Sequence, residues 1–152
     1  FSDSVTMQLC ASDMFHTLLD SAEHVREAPS GMNPRSEAQY AIVDSGCVET
    51  MTNAIREHYD YPDVTSVHAE KCEAMQYHVC WVLANIADCN ELQDAVQKAD
   101  VYYYLIHSMS VYMKHVGIVC QCLRALQSIS HWGFKGQPTD ILNDGCVETV
   151  LK

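Results

Sequence analysis

Three segments of this 152-residue chain repeat one spacing of apolar side chains, and that spacing is helical. In 5–22, 72–87 and 116–130, apolar residues recur at steps of three and four positions, which places them on one side of an α-helix. The series are Met7, Ala11, Met14, Phe15 and Leu18; then Met75, Val79, Val82, Leu83 and Ile86; then Ile118, Cys122, Ala125, Leu126 and Ile129. Because the spacing returns three times, it indicates an internal repeat, and we expect these sides to form the core.

The other segments also favour helix, and the predicted fold class is all-α. Segment 101–113 is apolar on nearly every side, which predicts a well-buried helix. Shorter helices are predicted in 36–43, 47–58 and 90–98, and loops or connectors with Pro or Gly in 27–35, 58–70 and 131–138. Strand signals are weak throughout.

A repeated sequence motif gives the length of the predicted repeat unit. The letters DSGCVET at 44–50 return as DGCVET at 144–149. Aligning the turns makes Gly46, Asp100 and Gly145 equivalent, each just before a helix and about 50 residues from the next. This interval is close to the period of about 40–47 residues, with two or three helices per unit, of armadillo and HEAT solenoids.

The segment from Gly46 to Asp100 resembles an armadillo repeat. It begins GCVETMTNAI and ends CWVLANIADCNELQDAVQKAD, and Cys80–Ala87 stands where that family has A-W-A-L-x-N-[LI]-A. The resemblance implies a right-handed α-solenoid of about three armadillo- or HEAT-like repeats, of the type found in large multidomain scaffold proteins. The implied single repeat domain, 1–152, divides into units 1–45, 46–99 and 100–144 and the start of another at 145–152, within a longer array.

The helix in 72–87 carries a second side that its aliphatic residues do not share. At about 100° per residue, Tyr77, Trp81, Asn85 and Asp88 cluster roughly opposite the apolar series. In the armadillo family the third helix of each unit lines a concave groove, where Asn hydrogen-bonds an extended peptide and Trp packs on its side chains. The resemblance therefore gives Asn85 and Trp81 these roles.

Two interpretations of this second side remain open. The equivalent positions are Arg124 and Ser128 in the following unit and Asp13 and Thr17 in the first, so the Trp–Asn pair is not repeated. Arg124 would also oppose a basic peptide. The six residues Tyr77, Trp81, Asn85, Asp88, Arg124 and Ser128 are therefore candidates for a partner-binding groove or for packing between helices.

The net charge and the cysteines of the chain indicate which partners it can bind and in which cellular compartment it lies. Twenty acidic residues against nine basic ones give a net charge of −11, which disfavours nucleic acid and favours basic peptides or protein surfaces. No apolar run reaches the roughly 18 residues of a membrane-spanning helix, so no membrane insertion is predicted. Several of the eight cysteines lie inside helical patterns. Free, buried cysteines predict a reducing, cytoplasmic setting.

The sequence offers little support for catalysis or for a metal. His68 with Cys72 and His78 with Cys80 lack the pairing of a strong zinc motif, and Cys120 and Cys122 would diverge on a helix. Eight Cys and eight His guarantee chance pairings. We therefore predict no enzyme activity, no metal site and no cofactor.

The resulting functional prediction is a non-catalytic scaffold for protein–protein interaction. In the first form, an extended segment of a protein or peptide partner binds along the concave groove. In the alternative form, the chain is a structural subunit or fragment of a large assembly. It would then contact neighbours through its ends and outer face, and a neighbouring subunit would cap its terminal repeats.

Overall fold

A computed structural model describes residues 2–23, 33–57 and 67–131, and the structural statements below concern these residues. They form seven α-helices and one 3-10 turn: α1 (Ser2–Glu23), α2 (Pro34–Asp44), α3 (Cys47–Glu57), α4 (Val67–Ala87), the turn Asn90–Leu92, α5 (Gln93–Lys98), α6 (Val101–Val111) and α7 (Val116–His131). No strand occurs among the described residues, so the all-α prediction is confirmed for them. His131 of the loop predicted at 131–138 is the last residue of α7; the rest of that loop and the unit beginning at 145 lie outside the described residues.

Helices α1, α2 and α4 begin earlier than the sequence predicts, α1 at Ser2. α2 starts at Pro34, where the Asn33 side chain accepts a hydrogen bond from the Arg35 backbone nitrogen at 2.9 Å. Proline suits this first position because its missing N–H would have no partner within the helix. α4 starts at Val67, inside the predicted connector 58–70. The rest of that connector, and 27–32 of the first predicted loop, lie outside the described residues.

α4 lies at the centre of the described fold, with α1 and α7 packed along it and α3, α5 and α6 in further contact with it. Its predicted apolar side is buried, with Met75, Val79, Val82, Leu83 and Ile86 at most 1% exposed. The predicted series of α7 is also buried, from Ile118 to Ile129. The predicted core sides of both helices are therefore confirmed.

The core side predicted for α1 is wrong in most of its positions. Met7, Met14 and Leu18 are 68%, 58% and 46% exposed, and Ala11 is exposed as well. The side of α1 that meets the core instead buries Ser12 and Leu19 and packs the partly buried Phe15. Among the described helices α1 packs mainly against α4 and α2, so its apolar stripe has no described helix to cover it.

The positions equated in the sequence, Gly46 and Asp100, share a left-handed backbone. Gly46 has a φ of 75° and Asp100 a φ of 50°, and each directly precedes a helix. Glycine adopts this conformation at little cost, and aspartate is among the few other residues that do. The equivalence of these two positions is therefore a feature of the backbone. Gly145, the third equivalent position, lies outside the described residues.

A buried amide joins α4 to two of the shorter helices. Gln76 is fully buried; its Nε2 donates to the Ile55 carbonyl at 3.4 Å, and its Oε1 accepts from the Ser108 hydroxyl at 3.2 Å. Both ends of the amide are thus satisfied inside the core, as a buried polar group requires. This pairing fixes how α3 and α6 sit behind α4.

Replacing Leu83 by alanine tests the core assignment. Leu83 is fully buried, so we expect Leu83→Ala to lower the free energy of unfolding by about 2–5 kcal/mol in urea titrations followed by circular dichroism. Leu123 is the matched control, because it is 38% exposed on α7 and its truncation should cost far less. Equal losses in the two variants would contradict the assigned core.

Candidate binding face

The residues predicted to bind a partner lie along α4 and on the neighbouring α7. Tyr77, Trp81 and Asn85 follow one another down α4, and Asp88 comes directly after its last residue. Arg124 and Ser128 reach Asn85 and Asp88 from α7. We call these six residues the candidate face. The structure brings Asn85, Asp88, Arg124 and Ser128 into one hydrogen-bonded group, whereas Tyr77 and Trp81 lie nearer the start of α4.

Asn85 is fully buried, and its amide oxygen and amide nitrogen both have partners inside the molecule. Its Oδ1 accepts hydrogen bonds from the guanidinium groups of Arg35 on α2 and Arg124 on α7, and its Nδ2 donates to the Trp81 carbonyl at 2.7 Å. The direct peptide contact implied by the resemblance therefore does not fit this geometry. Asn85 instead has the role of the alternative interpretation, because it bridges adjacent helices.

Asp88 neutralises the positive charge that α7 brings to the face. Its carboxylate forms an ion pair with Arg124 and also accepts a hydrogen bond from the Ser128 hydroxyl. The Arg124 and Asp88 side chains remain 37% and 35% exposed, so this pair lies at the surface. Since surface pairs contribute little to stability, the pair mainly sets the orientation of the two side chains.

Trp81 is half-buried and packs against α1. Its indole meets the His16 imidazole edge to face, with ring centroids 4.1 Å apart. The sequence analysis did not single out His16; it equated Trp81 and Asn85 with Asp13 and Thr17, which are both exposed on α1. Trp81 as a whole has intermediate burial, so it keeps some exposure to solvent.

Tyr77 lies against α7 at a position where α7 has a glycine. A Cβ added to Gly117 would stand 3.2–3.3 Å from two ring carbons of Tyr77, which is closer than ordinary packing distance. The glycine costs roughly 0.5–1 kcal/mol within the helix relative to alanine. In return, the half-buried tyrosine ring can lie close to the α7 backbone.

A polar cleft of about 510 Å³ lies at the Asp88 end of the candidate face. It is lined by Arg35, Ser36, Gln39, Asp88, Cys89, Asn90, Glu91 and Arg124. Gln39, on α2, also donates to the Asn85 backbone carbonyl. Sequence analysis missed Arg35 because it assigned that position to a loop, and no local pattern reveals a contact that spans fifty positions.

Burial controls the protonation of several side chains around α4. Burial, followed by the nearby His16, lowers the pKa of His78, although Asp13 acts in the opposite direction. A hydrogen bond to Cys80 (Sγ–Sγ 3.5 Å) and burial raise the pKa of Cys122 well above its usual value, and burial raises the pKa of Cys72. These two thiols therefore stay protonated near neutral pH, where a thiol is a poor nucleophile.

Comparisons with protein families, with curated proteins and with solved structures find no match to this chain. Within the described residues, each helix is too short or too polar to cross a membrane.

Replacing Asn85 by alanine tests the bridging role. Asn85→Ala removes the acceptor shared by two guanidinium groups, so we expect the free energy of unfolding to fall by about 1–3 kcal/mol in urea titrations. Asn53 is the matched control, because it is an exposed asparagine on α3. A loss in Asn85→Ala no larger than in Asn53→Ala would contradict the bridging role.

Proposed function

We propose that the chain is a non-catalytic protein-binding module that holds an extended segment of a partner protein along its long helices. The observation that carries the proposal is the position of Trp81. It is a half-buried tryptophan on α4 that contacts α1, and the polar cleft lies past the C-terminal end of α4. An aromatic anchor beside a cleft lined with polar groups is a common arrangement in protein interfaces.

The order of the helices supports an armadillo-like solenoid as the scaffold. Two short helices precede α4, a 3-10 turn and two short helices precede α7, and α1 and α7 both pack along α4. The left-handed residues Gly46 and Asp100 stand at the same point of the two units. Stacked third helices would present their residues in a row to one extended ligand, as the resemblance implies.

The charges of the chain favour a basic or polar segment as the partner. The net charge is −11, and the cleft itself contributes the carboxylates of Asp88 and Glu91. The two arginines of the cleft donate to Asn85, and Arg124 also pairs with Asp88, so internal acceptors already compensate them in part. The exposed amide of Asn90 can add hydrogen bonds to a peptide backbone. The cysteines of the described residues are free thiols, which suits a module of the cytoplasm.

Truncation of Trp81 tests the proposal. Peptides selected from a random phage-displayed library on the wild-type chain are labelled, and their dissociation constants are measured by fluorescence polarisation. We expect Trp81→Ala to weaken binding by about 30-fold, which corresponds to the roughly 2 kcal/mol lost with a central aromatic anchor.

The matched control is Tyr103→Ala, because Tyr103 is an aromatic residue on α6 that is 48% exposed and lies away from the candidate face. Circular dichroism of each variant confirms that the helices are intact. The proposal fails if the library yields no peptide, or if the selected peptide binds Trp81→Ala as tightly as wild type.

A second function is favoured by the exposed stripe of α1. Met7, Met14 and Leu18 recur along one side of the helix and are 46–68% exposed. Contiguous apolar surface of this kind marks a contact with another protein. In this second function the chain is a structural part of a larger assembly, and a neighbouring subunit or a further helical unit covers α1.

Introducing a charge into this stripe tests the second function. We expect Met14→Lys to reduce self-association, measured by light scattering after size exclusion, and to reduce the fluorescence of a bound hydrophobic dye. Met113→Lys is the matched control, because Met113 is 48% exposed in the turn before α7. A monomeric wild-type chain that binds no dye would rule out the stripe as a contact surface.

A further inference from the structure

We propose that Asp13, His16 and His78 form a binding site for a divalent transition-metal ion of the zinc type. One carboxylate oxygen and one nitrogen from each imidazole all lie within 4.8 Å of one another. Residues from two helices supply them, because Asp13 and His16 stand on α1 and His78 on α4. The site does not depend on the proposed peptide binding, and sequence analysis predicted no metal.

Helical geometry brings the three ligands together. Asp13 and His16 are three positions apart on α1, so their side chains leave the helix on the same side. α1 packs along α4, where His78 points towards them, with its Nε2 3.7 Å from the Asp13 Oδ1. A bound ion would therefore join the two helices.

One of the three distances between ligand atoms is close to that of a coordinated ion, and the other two are at most 4.8 Å. Zinc binds nitrogen and carboxylate oxygen at about 2.0–2.2 Å, so neighbouring ligands of a tetrahedral site lie about 3.3 Å apart. The His78–Asp13 distance exceeds this by a few tenths of an ångström, and the Asp13 side chain is 61% exposed and can rotate. Its exposure also leaves solvent access for water as a fourth ligand.

Neither ring nitrogen of His78 makes a hydrogen bond with another described residue. Its Nδ1 is buried without a partner, and its Nε2 is farther from Asp13 than a hydrogen bond allows. His16 is held from two directions, since its ring lies 4.9 Å from the ring of His78 and 4.1 Å from that of Trp81. The three side chains are thus close together and make no hydrogen bond with one another, which leaves their ligand atoms available to an ion.

The donor set selects the class of ion. Two imidazole nitrogens and one carboxylate suit zinc and its first-row neighbours, whereas magnesium and calcium prefer oxygen ligands alone. No cysteine belongs to this set, which separates it from the Cys-containing pairs weighed in the sequence. A thiol-bound ion would therefore be a different site with a different spectrum.

Zinc titration of the reduced chain tests the proposal. Isothermal titration calorimetry should show one ion bound per chain. Asp13→Asn, His16→Gln and His78→Gln should each weaken zinc binding by at least about tenfold, since even the loss of a residue that only contacts a metal ligand typically costs about that much. Asp13→Asn changes an exposed side chain and keeps its shape, so it should fold as wild type does. His115→Gln is the matched control, since His115 is a half-buried imidazole on the other side of α4, paired with Glu73.

Cobalt(II) provides an independent readout. In a Trp132→Phe background the chain keeps Trp81 as its one tryptophan, and Co²⁺ at this site should quench its fluorescence because His16 touches the indole. The bound ion should show ligand-field bands without a thiolate charge-transfer band. Three outcomes would overturn the proposal: no zinc binding by wild type, equal affinity in Asp13→Asn and wild type, or a thiolate band that assigns the ion to cysteines.

Discussion

The packing of α4 against two other long helices is the constraint on which the rest of the structure depends. Its side chains from Val79 to Ala87 are buried with the exception of the half-buried Trp81. A helix enclosed to this extent needs internal partners for most of the polar groups that it buries. Gln76 finds two such partners and Asn85 three, and these pairings fix where α2, α3, α6 and α7 lie around it.

This enclosure also explains why the candidate face differs from the one that the helical wheel suggests. The wheel puts Asn85 opposite the aliphatic side, and in a helix packed on one side it would face solvent. Here α2 and α7 close over it with Arg35 and Arg124. What remains accessible is the edge of Trp81 and the cleft beyond Asp88, so a peptide would meet an aromatic anchor and a polar cleft in place of an asparagine ladder.

The predictions from the sequence were confirmed where the burial or backbone conformation of a residue follows from its position in a helix or turn. The regularly spaced apolar residues of α4 and α7 are buried because each helix has neighbouring helices on that side. Gly46 and Asp100 share a left-handed conformation because each is the last residue before a helix. The predictions failed on α1, since periodicity shows which residues share a side and not whether another helix covers it. The contact of Arg35 with Asn85 and the Asp13–His16–His78 cluster could not be predicted from the sequence, because each brings together residues that are distant along the chain.

His16 links the two proposed sites, and the link has a thermodynamic consequence. Its ring contacts Trp81 on one side and His78 on the other, so one imidazole belongs both to the aromatic anchor and to the metal cluster. An ion that fixes this ring would change the surroundings of the indole that a peptide meets. If the ion alters the affinity for a peptide by some factor, the peptide must alter the affinity for the ion by the same factor. Metal and peptide titrations on the same chain therefore each report on the other site.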